Sequence, residues 1–325
     1  NAVPTSVAAA PTSFTATAAN TVANLAWVAP VDTGGAAITS YRIERLDSGS
    51  WNFVANTSAS PYAVTGLTNG TSYTYRLAAV NGAGIGAYTE SVIVTPATAP
   101  SAPLSLTRVG GDQFVTLNWL APASSGGVVI TVYIVEESPD GVVWTEDLRT
   151  SALEATITGL TNGTSYRFRV RAVNAAGEGP NATSGTVMPS AKAAAPTSLV
   201  ATPGNGTLSL SWTAPFDTGG SSISGYVIER TVDGGLNWTQ VRTVTNAAAS
   251  FTGLVNGVSY SFRVRAVNAV GTGAASGFVT AAPYTTPGAP RSFAASPADA
   301  QAVLTWVIPA STGGATITSY VVQQS

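Results

Sequence analysis

The feature that most constrains the fold of this sequence is a Trp-x-x-Pro motif that occurs four times in 325 residues. Successive tryptophans are separated by 92, 93 and 94 residues. Units of solenoid proteins are about 20 to 50 residues long, so this longer period predicts a whole small domain repeated along the chain. The four tryptophans are Trp27, Trp119, Trp212 and Trp306.

Two further markers share this period. A tyrosine follows each tryptophan by fourteen residues, and in the first three repeats a leucine precedes a second tyrosine by six residues. We predict that these residues form the domain cores, with each tryptophan packed against the tyrosine that follows it. The residues are Tyr41, Tyr133, Tyr226 and Tyr320, the leucines Leu67, Leu160 and Leu254, and the second tyrosines Tyr73, Tyr166 and Tyr260.

The segments between these markers have the pattern of β-strands. In residues 166–171, Tyr166, Phe168 and Val170 alternate with arginines, which is the period of two expected for a half-buried strand. No segment has a convincing helical pattern. About seven short strands in roughly 90 residues predict an immunoglobulin-like antiparallel β-sandwich. The predicted fold class is therefore all-β, with three complete sandwiches and one truncated sandwich.

The early proline, the tryptophan on the second strand, the following tyrosine and the leucine before the corner tyrosine resemble the fibronectin type III family. The repeats look most like the bacterial versions of this family in secreted and surface proteins, and the resemblance covers nearly the whole chain. We predict repeats at 11–98, 99–191 and 192–286, preceded by a repeat tail and linker (1–10) and followed by the N-terminal part of a fourth repeat (287–325). We also expect the hydroxyls of the three second tyrosines to bond to backbone a few residues upstream.

The two ends of the sequence suggest a longer array. Residues 2–11 match residues 187–196, so we expect Asn1 to lie at the tail of an earlier repeat. The fourth repeat is expected to stop just after its third strand, which would leave Trp306 and Tyr320 open to water. We expect this chain to be part of a longer series of such repeats.

The composition argues against several classes of function. Charged residues are only 9% of the chain and the net charge is −2, so no basic face is available for nucleic acid or an anionic membrane. No apolar stretch is long enough to span a membrane. The absence of cysteine and histidine removes thiol and Ser-His-Asp catalysis and the usual zinc sites. We predict no cofactor, no catalytic or metal-binding residue and no enzyme activity.

One pair of carboxylates nevertheless suggests glycoside hydrolysis, namely Glu136 and Glu137. A glutamate recurs at the first position of this pair in all three complete repeats, and the fourth repeat has a glutamine there. We interpret it as a solvated outward position with a cross-strand arginine as its partner. The glutamates are Glu44, Glu136 and Glu229, with Gln323 in the fourth repeat, and the arginines are Arg76, Arg169 and Arg263.

Three other features leave alternatives open. Trp51, Trp144 and Trp238 recur in each repeat, either as partly buried rings at a sheet edge, as a sugar-stacking platform or as a contact between domains or chains. The row Arg167, Arg169 and Arg171 is a further candidate for polyanion binding. The Asp-Thr-Gly-Gly loops after Asp32 and Asp217 are interpreted as turns, because Ser124 and Ser311 replace the aspartate elsewhere.

The linkers bear on function. Residues 95–103, 188–196 and 282–290 are short and rich in proline, which predicts a semi-rigid rod. The leading hypothesis is a non-catalytic extracellular or cell-surface structural protein that contributes to a filament, with copies of itself or further repeats as partners. The alternatives are a spacer in a secreted polysaccharide-degrading enzyme and an adhesin that binds glycans or cell-surface proteins.

Overall fold

A computed structural model describes residues 5–324. The regular elements of this range are all β-strands, which confirms the predicted fold class. The described residues contain no helix able to cross a membrane. By their internal contacts the described residues fall into two units, one of 5–109, 116–157 and 166–187 and the other of 110–115, 158–165 and 188–324.

The first domain consists of two antiparallel sheets. One has the strand order β1-β2-β5, and the other has the order β4-β3-β6-β7 with β8 also paired to β6. The last strand of the sandwich is thus split into β7 and β8. The strands are β1 Thr12–Ala19, β2 Val22–Val28, β3 Ile38–Asp47, β4 Ser50–Thr57, β5 Tyr62–Val64, β6 Tyr73–Asn81, β7 Gly84–Tyr88 and β8 Val92–Val94.

The second and third domains repeat this topology. Their small sheets are β13-β10-β9 and β17-β18-β21, and their large sheets are β12-β11-β14-β15 and β20-β19-β22-β23 with β16 and β24 as the second parts of the last strand. The strands of the second domain are β9 Leu104–Gly110, β10 Phe114–Leu120, β11 Ile130–Ser138, β12 Thr145–Thr150, β13 Glu154–Thr158, β14 Arg167–Asn174, β15 Gly177–Glu178 and β16 Ala182–Thr183. Those of the third are β17 Thr197–Gly204, β18 Thr207–Thr213, β19 Gly225–Thr231, β20 Thr239–Val244, β21 Ala248–Phe251, β22 Tyr260–Asn268, β23 Gly271–Ala275 and β24 Val279–Ala281.

The predicted core aromatics lie inside the complete domains. Trp27, Trp119 and Trp212 are 3% to 6% exposed, and their ring centroids lie 5.2, 5.6 and 5.3 Å from those of their tyrosines. This is the distance range of favourable aromatic pairs. Those tyrosines are buried, as are Leu67, Leu160 and Tyr166, whereas Leu254, Tyr73 and Tyr260 are partly buried.

The corner tyrosines tie the chain back on itself. The backbone N–H of Thr68 donates to the Tyr73 hydroxyl at 3.0 Å, and that of Val255 donates to the Tyr260 hydroxyl at 3.1 Å. The prediction of a bond to backbone upstream is therefore confirmed for these two tyrosines. Each bond pairs a backbone group near the point where the chain crosses between sheets.

Residues after 290 form a smaller unit than the sequence predicted. Strands β25 Arg291–Ala298 and β26 Gln301–Val307 pair with each other, and the expected third strand is absent from the described residues. In the first domain the third strand is paired on both sides, by β4 and β6, and described residues beyond 307 supply no such partner. The ring centroids of Trp306 and Tyr320 lie 5.3 Å apart, so the predicted aromatic pair forms. Both residues are only partly buried, which agrees with the expectation that a truncated repeat leaves them open to water. The expected repeat tail at Asn1 lies outside the described residues.

Candidate functional site

The recurrent glutamates lie on the large sheet of each complete domain, where Glu44 and Glu136 are buried and Glu229 is partly buried. Glu44 is 5% exposed and Glu136 is 7% exposed, and the side chain of Glu229 is 16% exposed. The interpretation of a solvated position is therefore wrong. It failed because burial here depends on side chains from the neighbouring strand and from the sheet edge, which the sequence of one strand does not reveal.

The predicted cross-strand partners are confirmed. Arg76 donates through Nη2 to Glu44 Oε2 at 2.7 Å, and Arg169 and Arg263 form the equivalent ion pairs with Glu136 and Glu229. Each pair is directly opposite in the strand register. A buried carboxylate with an arginine fork costs little only when its other lone pairs are also satisfied.

A second donor set completes each site. In the first domain, Arg42 Nε lies 2.8 Å from Glu44 Oε1, and the Tyr88 hydroxyl donates to the same oxygen at 2.7 Å. In the second and third domains the extra cation comes from the neighbouring strand, as Arg171 and Arg265. Each glutamate therefore faces two guanidinium groups, and the sequence had indicated only one.

These contacts hold the glutamates in the charged form. Burial disfavours the charge of Glu44, but hydrogen bonds from Arg42, Tyr88 and Arg76 outweigh it and place the pKa below its ordinary value. Arg169 is the main cause of the lowered pKa of Glu136. A carboxylate in this state is a poor proton donor near neutral pH.

Glu136 and Glu137, the carboxylate pair considered for glycoside hydrolysis, do not form a catalytic site. Successive side chains of a strand point to opposite faces of the sheet, so the two carboxyls of β11 are separated by the sheet itself. In glycoside hydrolysis the two carboxyls must flank one bond. No group of three or more acidic side chains able to hold a metal ion occurs within residues 5–324.

The three recurrent tryptophans cover the arginines. The Arg76 guanidinium carbon lies 4.3 Å from the Trp51 ring centroid, and the corresponding distances for Trp144 and Trp238 are 4.5 and 4.4 Å. All three rings are partly exposed and lie on or next to the edge strands β4, β12 and β20. Such stacking is favourable because a cation is attracted to the face of an aromatic ring.

The remaining candidate features also have internal partners. Arg169 and Arg171 of the arginine row are bonded to Glu136, and Arg171 also to Glu178, which neutralises much of the row. In the loops, Asp32 Oδ1 and Asp217 Oδ1 each accept an N–H two residues ahead at 2.8 Å. Hydroxyls of Ser124 and Ser311 accept the equivalent bonds, at 3.1 and 3.2 Å. The interpretation as turns is confirmed.

Fold and site together define a class of protein, a tandem array of β-sandwiches. The outer face of each large sheet carries a glutamate, two arginines and a tryptophan, and in the first domain a tyrosine joins them. The family model of the fibronectin type III domain matches residues 9–95, 98–187 and 194–282. The chain belongs to this family.

Similar proteins include two glucanases and a myomesin. Endoglucanase B of Cellulomonas fimi is 32% identical over 272 residues, covering 77% of this chain and 25% of that protein. Exoglucanase B of the same species is 30% identical over 269 residues, covering 78% and 23%. Myomesin-2 of Homo sapiens is 32% identical over 233 residues, covering 65% and 16%. The chain thus spans about a quarter of the length of the two glucanases.

Proposed function

We propose that this chain is a non-catalytic structural segment of an extracellular protein that keeps other parts of the molecule apart. The observation that carries this proposal is the outer sheet face. In all three complete domains its glutamate, arginines and tryptophan contact one another, so the side chains best suited to chemistry or recognition hold the sheet together.

The relatives favour a spacer. Two of them are glucanases, and the part of each that matches this chain is about a quarter of its length. A spacer between the catalytic and other regions of a secreted polysaccharide-degrading enzyme accounts for domains of this kind. A filament is the second candidate, favoured by the 9% content of charged residues, because few charges would need to be desolvated when copies pack together.

Imaging and light scattering of the purified chain separate these candidates. A spacer should remain monomeric and appear as single particles over a range of protein concentrations. Ordered fibres would support the filament and contradict the spacer.

A sedimentation assay with insoluble cellulose tests the adhesin. We expect the chain to stay in the supernatant, because one face of each recurrent tryptophan is covered by an arginine. Retention that is lost in a Trp51→Ala, Trp144→Ala and Trp238→Ala triple variant would overturn the proposal and identify a glycan-binding surface.

A further inference from the structure

Two glycine turns touch where the first domain meets the second. Gly70 follows Asn69 at one end of the first domain, and Gly127 ends the Gly-Gly turn of the second. A Cβ atom on Gly127 would lie 2.4 Å from the Gly70 nitrogen, and one on Gly70 would lie 2.5 Å from the Gly127 carbonyl oxygen. These distances are too short for any side chain, so the two backbones are in direct contact.

The linker is bonded to both turns. The Gly70 N–H donates to the Pro96 carbonyl at 2.9 Å, and the Thr98 N–H donates to the Gly126 carbonyl at 3.0 Å. Asn174 adds a brace, because its Nδ2 donates to the carbonyls of Thr98 and Ser125, each at 2.7 Å. Asn174 is 5% exposed, so its amide is a buried and fully used polar group.

The turn on the first domain is itself held in place. Asn69 Oδ1 accepts the Thr21 N–H at 2.8 Å, and Asn69 Nδ2 donates to Asn20 Oδ1 at 2.8 Å. The turn at Gly70 is therefore held by side-chain and backbone groups of the first domain alone.

The same arrangement recurs in the second unit of the chain. A Cβ on Gly220 would lie 2.2 Å from the Gly163 nitrogen, and one on Gly314 would lie 2.5 Å from the Gly257 nitrogen. Gly163 and Gly257 again donate to proline carbonyls, of Pro189 and Pro283, at 2.9 Å. The same contact occurs three times along the chain, which indicates a specific interface rather than a chance approach of loops.

We infer that the junction of the first and second domains is a built interface, whose partner is the next domain of the same chain and which holds the two domains in one orientation. Glycine is required at both turns because the backbones meet there. This inference does not depend on the proposed function, since a spacer and a filament would use the junction alike.

The chain offers a matched pair of glycines to test it. Gly70 has φ of +84° and Gly66 has φ of +74°, but a Cβ on Gly66 would meet no atom within 4 Å. Alanine therefore brings the same type of backbone strain at both positions, and only Gly70→Ala obstructs the junction. Because the chain has no cysteine, Thr17→Cys and Asn118→Cys, both at exposed strand positions, allow a spin label on each domain.

Electron–electron distance measurements on the full chain should give one narrow distribution for the parent and for Gly66→Ala, and a broadened or displaced one for Gly70→Ala. A broad distribution in the parent, an unchanged one in Gly70→Ala, or equal broadening in both variants would overturn the inference. Should Gly70→Ala fail to fold, Asn174→Asp removes the donors of the brace. Its control is Asn81→Asp, at the equivalent position of the first domain, where the amide donates to Ser6 and Thr33 instead.

Discussion

The second domain differs from the first at one end of the large sheet. Glu137 follows the buried glutamate of the second domain, where the first domain has Arg45. The extra residue of the bulge in the edge strand is Asp147 in the second domain and Val54 in the first. The third domain agrees with the first, since it has an arginine and a valine at these two positions.

In the second domain, two carboxyls that repel each other replace a paired arginine and a valine. Arg45 is bonded to Asp47 at 2.7 Å and lies 5.4 Å from the Tyr73 ring. Glu137 Oε2, in contrast, is buried and has no hydrogen-bond partner in the protein. Burial raises the pKa of Glu137, and burial followed by the charges of Glu137 and Glu136 raises the pKa of Asp147 to about 7. One fold thus accommodates opposite electrostatics in neighbouring repeats.

The largest expected effect tests whether the cores are nevertheless equivalent. Replacing Trp27, Trp119 or Trp212 by alanine should destabilise the domain concerned by about 3 to 5 kcal/mol, because each is buried against its tyrosine. Trp119→Phe should cost less, since the indole N–H has no hydrogen-bond partner to lose. Hydrogen exchange resolved by domain measures this in the intact chain. Normal protection in Trp119→Ala would contradict the assigned core.

The next effect concerns the glutamate–arginine ion pairs, which the domains share. Glu136→Gln and Glu44→Gln should each destabilise their domain by about 1 to 3 kcal/mol, because two guanidinium groups lose their counter-charge but remain partly open to water. Denaturant unfolding of the variants and the parent measures the change. If both substitutions were neutral, the buried ion pairs would have no role in stability.

The pH dependence should separate the second domain from the others. The folded pKa of Asp147 is raised from 3.8 to about 7, so the folded state binds the proton more tightly and stability falls as pH rises through this window. Asp147 is only partly withdrawn from water at the sheet edge, and screening by solvent should keep the change below about 1 kcal/mol. Glu44 and Glu229 give the opposite dependence of stability on pH, because their pKa values are lowered in the folded state. Their contribution to stability is lost only as pH falls through those lowered values.

Hydrogen exchange between pH 5 and pH 8, corrected for the intrinsic exchange rate, can test this contrast. Opening free energies should decrease with pH in the second domain alone, and Asp147→Asn should reduce the decrease. The matched control is Asp112→Asn in the same domain. An equal trend in all three domains would show that the acidic end is not its cause.

The smallest expected effect concerns the tryptophan stack. Trp144→Leu keeps apolar contact but removes the ring face over Arg169, which should cost about 0.5 to 1 kcal/mol. Trp51→Leu should cost less, because Arg76 also lies 4.0 Å from the Tyr88 ring and keeps that stack. Denaturant midpoints of the two variants give the comparison, and a larger loss for Trp51→Leu would reverse our ranking of the two sites.

Much of the fold followed from local pattern. The tryptophan and tyrosine markers lie inside the sandwiches because alternation along one strand already separates a core face from an outer face. The pairing of Glu136 with Arg169 was predictable for the same reason, since register places recurrent positions opposite one another. The burial of Glu136 was not, because Arg171 pairs with it and the ring of Trp144 covers its partner Arg169, and neither contact can be read from the strand that carries Glu136.

The sequence by itself determined the repeat, the all-β class and the core aromatics, because each depends on the period of two within a strand and on recurrence along the chain. Only the tertiary structure decided that Asn174 braces a linker and that Gly70 meets Gly127. These contacts join residues 57 to 76 positions apart in sequence. Glycine and asparagine are common in turns of every kind, so the sequence does not distinguish these positions from ordinary turns. Their role arises only when two folded domains bring their backbones together.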